Sequence, residues 1–180
     1  DAGLAAAKVN VFLRQLVEKS GGVATVGCIE FKPNAINVIP SKAVFTVDLR
    51  NPDKEKLDND EKILAAYLKD LAKEDDVKIS TEHLTEFDPV PFDEGIVEKV
   101  EKAAKAHGLS VRRITSGAGQ DAQMIERICP TAMIFVPSVK GISHNPEEYT
   151  KDEDVLAGAG VFLDVVMDMA VVGVPAARNN

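Results

Sequence analysis

The feature that most restricts this chain is a change of rhythm at Pro89-Val90-Pro91. Proline has no N–H to donate and fixes its own φ, so two prolines around one residue end whatever element precedes them. Residues 2–19 place Val9, Phe12, Leu13, Leu16 and Val17 on one helical face, and Gly21-Gly22 stops that helix. Residues 25–31 and 43–50 read as strands. In the second, Ala43, Phe45, Val47 and Leu49 alternate with Val44, Thr46, Asp48 and Arg50. Pro33 and Pro40 make the connection a loop of about ten residues, longer than a tight hairpin turn. Asn51-Pro52-Asp53 opens a second helix with Leu57, Leu64, Leu68 and Leu71 on one face, and residues 77–84 form a third strand.

The order α-β-β-α-β is that of a ferredoxin-like split βαβ module with its first strand missing. Past the prolines, helix and strand alternate. Residues 94–107 predict a helix, 110–114 a short strand, 116–119 a tight turn and 120–128 a helix. The run 131–136 is wholly apolar, as expected of a parallel strand buried on both faces. A polar loop spans 137–149. Thr150 and Glu153 then form a capping box before a final helix of about 20 residues. The class is α/β (α+β), and two strands are too few for a sheet that stands alone, so this half reads as a piece of something larger.

Composition narrows the function. The net charge is −8, which argues against a nucleic-acid or anionic-membrane surface and points to a cytoplasmic protein. No stretch approaches the ~20 apolar residues of a membrane span. Cys28 and Cys129 form no CxxC pair and read as small buried thiols in a reducing compartment, with a single disulfide as the alternative. The chain starts at Asp1-Ala2-Gly3 without methionine, signal or tag, which reads as a start inside a longer sequence, and residues 172–180 read as a natural end.

Five residues stand where sites are built. His144 lies in the loop after the buried run, and α/β folds bind ligands beyond the carboxyl ends of strands. Glu147 and Glu148 are placed to orient its imidazole. The alternative is an ordinary surface histidine. Gln120 and Asp121 open a helix after Ser116-Gly-Ala-Gly, where glycines allow close approach, although a carboxylate there is also a simple helix cap. Arg50 ends a strand on its polar face and suits bidentate capture of a carboxylate, yet most such arginines are merely solvated. Asn37, in the proline-flanked loop, is otherwise a turn residue. His83 and His107 read as structural. With three histidines and no HxxE, HxH or HxD pairing, the chain lacks the donors for a dinuclear metal site of its own, and it has no Gly-x-Ser-x-Gly elbow.

Five segments recur in order: Pro33-Asn-Ala-Ile-Asn-Val-Ile-Pro40, Phe45-Thr-Val-Asp-Leu-Arg50, Ser116-Gly-Ala-Gly-Gln-Asp-Ala122, Pro130-Thr-Ala-Met-Ile-Phe-Val-Pro-Ser138 and Gly141-Ile-Ser-His-Asn-Pro-Glu147. Together they resemble the amidase/carbamoylase branch of the M20 metallopeptidase-like family, which includes N-carbamoyl-L-amino-acid hydrolases, β-ureidopropionases and allantoate amidohydrolases. The resemblance implies a metal-dependent amidohydrolase cleaving linear amide or ureido C–N bonds with two divalent ions, zinc or manganese. It implies that residues 1–88 are an incomplete lid and dimerisation domain, and residues 89–180 the C-terminal segment of a Zn-peptidase-like catalytic domain. His144 matches the last metal ligand, Arg50 the lid arginine on the substrate carboxylate, and Asn37 the lid asparagine contacting substrate. Gln120 stands where the family usually has histidine; it can hydrogen-bond to substrate but cannot take up a proton near neutral pH. No catalytic acid or base is expected in this chain. The implied partners are a small N-carbamoyl or ureido substrate with a carboxylate and a second copy through the lid. The alternatives are an M20 aminoacylase or peptidase, and a non-catalytic dimerisation and substrate-docking module. The isolated chain is expected neither to hydrolyse nor to bind two ions tightly.

Overall fold

The structure, a computed structural model, describes residues 1–172. They are mixed helix and small antiparallel sheets, divided into a unit Asp1–Pro89 and a second unit from Val90 onward.

In the first unit, α1 (Ala2–Ser20) starts where the Asp1 carboxylate accepts the Leu4 N–H at 2.9 Å. It stops where Gly21, at φ 79°, sends its N–H back to the Val17 carbonyl; that left-handed turn suits glycine. The expected strands 25–31 and 43–50 each break in two. β1 (Val23–Thr25) pairs with β4 (Asp48–Arg50), and β2 (Ile29–Lys32) pairs with β3 (Lys42–Phe45), all antiparallel. Between the two ladders one arm has Val26, Gly27 and Cys28 while the other has only Thr46 and Val47. The extra residue shifts the register by one, as a bulge does, and the Thr46 N–H to the Cys28 carbonyl (3.1 Å) carries the hairpin across it. Loop 33–41 closes the far end, with the Ser41 N–H on the Lys32 carbonyl at 2.9 Å.

α2 (Lys54–Glu74) is capped by Asp53, whose carboxylate accepts the N–H groups of Glu55 and Lys56. Val9 and Leu13 of α1 meet Leu71 of α2 in a core joined by Phe45, Leu64, Leu68, Val77 and Ile79. Phe12 stacks on Tyr67, ring centroids 3.7 Å apart. The expected strand 77–84 does not form. Val77 and Ile79 are half-buried and Lys78 and Ser80 exposed, the period of a strand, but no described segment runs alongside to provide a ladder.

In the second unit, α3 (Glu94–Ala106) is capped by Asp93, which accepts the Ile96 N–H at 3.0 Å and gives its own N–H to the Thr131 carbonyl. α3 packs on the final helix, α5 (Asp152–Val172); Ile96 and Ala104 on one, Val161 and Val165 on the other, are buried. His107 at the end of α3 meets Asp164 of α5 at 2.8 Å, and Lys99 pairs with Asp168.

Several expectations here are corrected. Helix 120–128 shortens to α4 (Asp121–Ile125), followed by turns. Runs 110–114 and 131–136 form no strands, and Phe135 (50% exposed) and Val136 (38%) are not buried on both faces, because no neighbouring strand covers them. The Thr150–Glu153 capping box is absent, since the Val155 N–H bonds to the Lys151 carbonyl and the helix begins at Asp152. Both cysteines are free thiols; Cys129 is half-buried, but Cys28, at the bulge, is exposed. Among the described residues no helix is long and apolar enough to cross a membrane. The end expected over 172–180 lies almost wholly outside the described residues.

Candidate functional site

Arg50 closes β4, and residue i−2 shares its face of the strand. Its Nε donates to Asp48 Oδ1 at 2.7 Å and its Nη2 to Oδ2 at 2.5 Å, a bidentate fork on a carboxylate. Hydrogen bonding from Arg50 holds the Asp48 carboxyl below the usual range, and Asp48 in turn raises the Arg50 guanidinium. The two side chains are half exposed. Sequence reasoning missed Asp48; the signal was the i, i+2 spacing of opposite charges on one face of a strand.

Asn37 lies in loop 33–41, exposed, beside Ile36, whose side chain is fully in solvent, and Ile39 at 69% exposure. A turn bond from the Val38 N–H to the Ala35 carbonyl (3.4 Å) shapes this tip. Arg50 pairs with Val23 at the open end of the hairpin, whereas the loop closes beyond Lys32 and Lys42. At about 3.3 Å per residue the run from Lys42 to Arg50 spans up to roughly 25 Å. The fold therefore does not bring Asn37 and Arg50 of one chain together.

Gln120 is the exposed residue before α4; its N–H donates to Gln123 Oε1 at 3.3 Å and its carbonyl accepts the Gln123 N–H at 3.0 Å. Upstream, Ser116 Oγ accepts the Ala118 N–H at 3.3 Å and tightens the glycine turn.

His144 is exposed at φ 55°, a left-handed conformation, and Lys140 (φ 60°) and Gly141 (φ 68°) share it four and three residues earlier. Non-glycine residues hold that conformation only where the surrounding loop over-determines it. The loop supplies this. The Val139 N–H bonds to the Tyr149 carbonyl at 2.7 Å, the Glu148 N–H to the Asn145 carbonyl at 2.9 Å, and the Glu147 N–H to Asn145 Oδ1 at 2.9 Å. The Glu148 carboxylate, expected on the imidazole, instead accepts the His144 backbone N–H at 2.8 Å.

Peptidase family M20/M25/M40 matches residues 3–168. The chain belongs to this family. Similar M20 proteins include an N-carbamoyl-L-amino-acid amidohydrolase of Rhizobium meliloti, 40% identical over 94% of this chain and 41% of that enzyme. Another is the allantoate amidohydrolase of Escherichia coli, 37% identical over 82% of this chain and 36% of its own length. Among solved structures, an amidase of the hydantoinase/carbamoylase family from Burkholderia multivorans superposes with a TM-score of 0.88 at 37% identity, over 94% of this chain and 42% of that one. The resemblance read from the five motifs is thus borne out, and the chain spans about two fifths of the proteins it matches.

M20 enzymes generally use divalent metals. Among the described residues no three His, Cys, Asp or Glu side chains converge to hold an ion. His144 is a single donor on a surface loop, and the Glu148 carboxylate accepts the His144 backbone N–H. These residues do not fit a metal site by themselves, and no reaction step follows from them through a metal.

Proposed function

We propose that this chain is the substrate-docking part of an amidohydrolase that cleaves the linear amide or ureido C–N bond of an N-carbamoyl amino acid or an allantoate-like substrate. The observation that carries the reading is the 40% identity to an N-carbamoyl-L-amino-acid amidohydrolase over 94% of the chain. Residues 1–88 are then the lid and dimerisation domain, and residues 89–180 the C-terminal segment of the catalytic domain. Arg50 recognises the substrate carboxylate: Asp48 already occupies its fork as a planar carboxylate does, so substrate competes with a resident anion. Asn37 and Gln120 contribute hydrogen bonds to substrate, and His144 contributes one imidazole ligand to a zinc or manganese centre whose remaining donors lie outside this chain. Because Asn37 and Arg50 sit at opposite ends of one hairpin, a dimer in which each lid serves two sites is the arrangement that uses both.

The test is an assay of the natural protein containing this chain, supplied with Mn²⁺ or Zn²⁺, on N-carbamoyl amino acids, allantoate and N-acyl amino acids. Turnover of the first two above the third is expected, and Arg50→Lys should raise KM more than it lowers kcat, since a lysine gives a point charge where a fork is needed. Preference for N-acyl amino acids or peptides would move the reading to an aminoacylase or peptidase; no turnover of any would end it.

A further inference from the structure

The start of α1 is joined to the loop that carries Asn37. The first N–H groups of a helix have no partner within it. The Leu4 N–H goes to the Asp1 carboxylate, but the Ala2 N–H donates to the Pro40 carbonyl at 3.1 Å. Gly3 stands beside that bond. A Cβ at Gly3 would lie 3.2 Å from Pro40 Cγ and 3.4 Å from Pro40 Cδ. Carbon atoms rest about 3.5–4.0 Å apart, so any side chain at position 3 presses on the proline ring. The same Cβ would stand 3.3 Å from Asp1 Oδ1, the end of a side chain that can turn aside. The Pro40 ring cannot, because it is closed onto its own backbone. Glycine is the poorest helix former after proline, so its place in the first turn of α1 serves this contact rather than the helix.

The loop is held at its base. Ser41 donates both its N–H (2.9 Å) and its hydroxyl (3.1 Å) to the Lys32 carbonyl. Pro40 is half-buried, whereas residues 34–39 are exposed, with the Val38–Ala35 turn bond shaping them. Proline fixes its own φ and leaves the chain little freedom to absorb a displacement there. A shift at Pro40 is therefore carried to Asn37, three residues earlier.

We propose that Gly3 is a positioning residue: its missing side chain lets Pro40 seat on the first turn of α1, and this seat sets where Asn37 stands toward the substrate. The inference rests on the reading of Asn37 as a substrate contact and adds the residue that places it.

The test uses the natural protein containing this chain. KM should rise about twofold in Gly3→Ala and about tenfold in Gly3→Leu, with kcat changing less, as for a contact made equally to substrate and transition state. In an Asn37→Ala background Gly3→Leu should add less than about twofold, because the contact it misplaces is already gone. Methyl NMR of Ile36, Val38 and Ile39 reads the loop directly. Their signals should shift in Gly3→Leu while those of Val161 and Val165, in the second unit, stay in place. If Gly3→Leu does not fold, Gly3→Ala gives the same readouts at smaller amplitude. Unmoved loop signals overturn the inference whatever the protein hydrolyses, and so does a KM that rises equally with and without Asn37. Shifted loop signals with the same KM pattern on N-acyl amino acids alone would refute the carbamoyl reading and leave the inference standing. Shifted signals without turnover of any substrate would end the proposed function and leave Gly3 as the seat of the loop.

Discussion

Arg50 and Asp48 show how the period of a single strand sets up a bidentate ion pair. Two residues apart on one face, they form a bidentate pair in which the guanidinium holds the Asp48 carboxyl below its ordinary range. A carboxyl depressed on folding stabilises the fold above its unfolded value, and that contribution is lost as pH falls through the folded value, so the loss lies in the acid range below about 4. Half exposure keeps the contribution small. A carbon-detected NMR titration should place Asp48 below the ordinary aspartate value and move it upward in Arg50→Ala; an unmoved midpoint in that variant would show that the pair is not held in solution. Arg50 was legible as a candidate because a strand's period fixes its face. His144 was legible by motif, but its left-handed backbone and the Glu148 bond that helps hold it were not, since they depend on how the loop closes.

At the scale of elements, the helices carry their own instructions. Asp53 and Asp93 each precede a helix and each cap it. Asp93 also ties α3 to Thr131 through its backbone, and among the described residues its carboxylate serves the cap bond to Ile96. Asp93→Ala should therefore cost about 1 kcal/mol of unfolding free energy in urea. Leu71, 1% exposed, sits between α1 and α2 with Leu13 and Val9. Leu71→Ala should cost about 2–5 kcal/mol, more than any surface leucine; a cost below about 1 kcal/mol would mean that this core collapses around the cavity. The strands were less legible. Each expected strand of the hairpin is split by a one-residue bulge at Val26, Gly27 and Cys28, and no periodicity announces an extra residue whose effect is on pairing.

For the whole molecule the informative segments are the extended ones. Residues 77–84, 110–114 and 131–136 have the composition of strands and lie among no described ladder. Their amides should exchange rapidly in the 180-residue chain while those in the middle of α1 and α5 are protected, a contrast that hydrogen exchange with mass spectrometry measures directly. Protection of all three equal to that of the helices would contradict this arrangement. By itself the sequence determined where the α-helices of the described residues lie, the length of α4 excepted, and, through five ordered motifs, the M20 family. These are local or cumulative properties: a helix closes its own hydrogen bonds, and a motif keeps its residues whatever surrounds it. Tertiary structure alone decided which apolar runs become strands and which faces stay open. A strand's hydrogen bonds belong to its neighbour, so 77–84 and 131–136 keep a strand's composition without a ladder among the described residues.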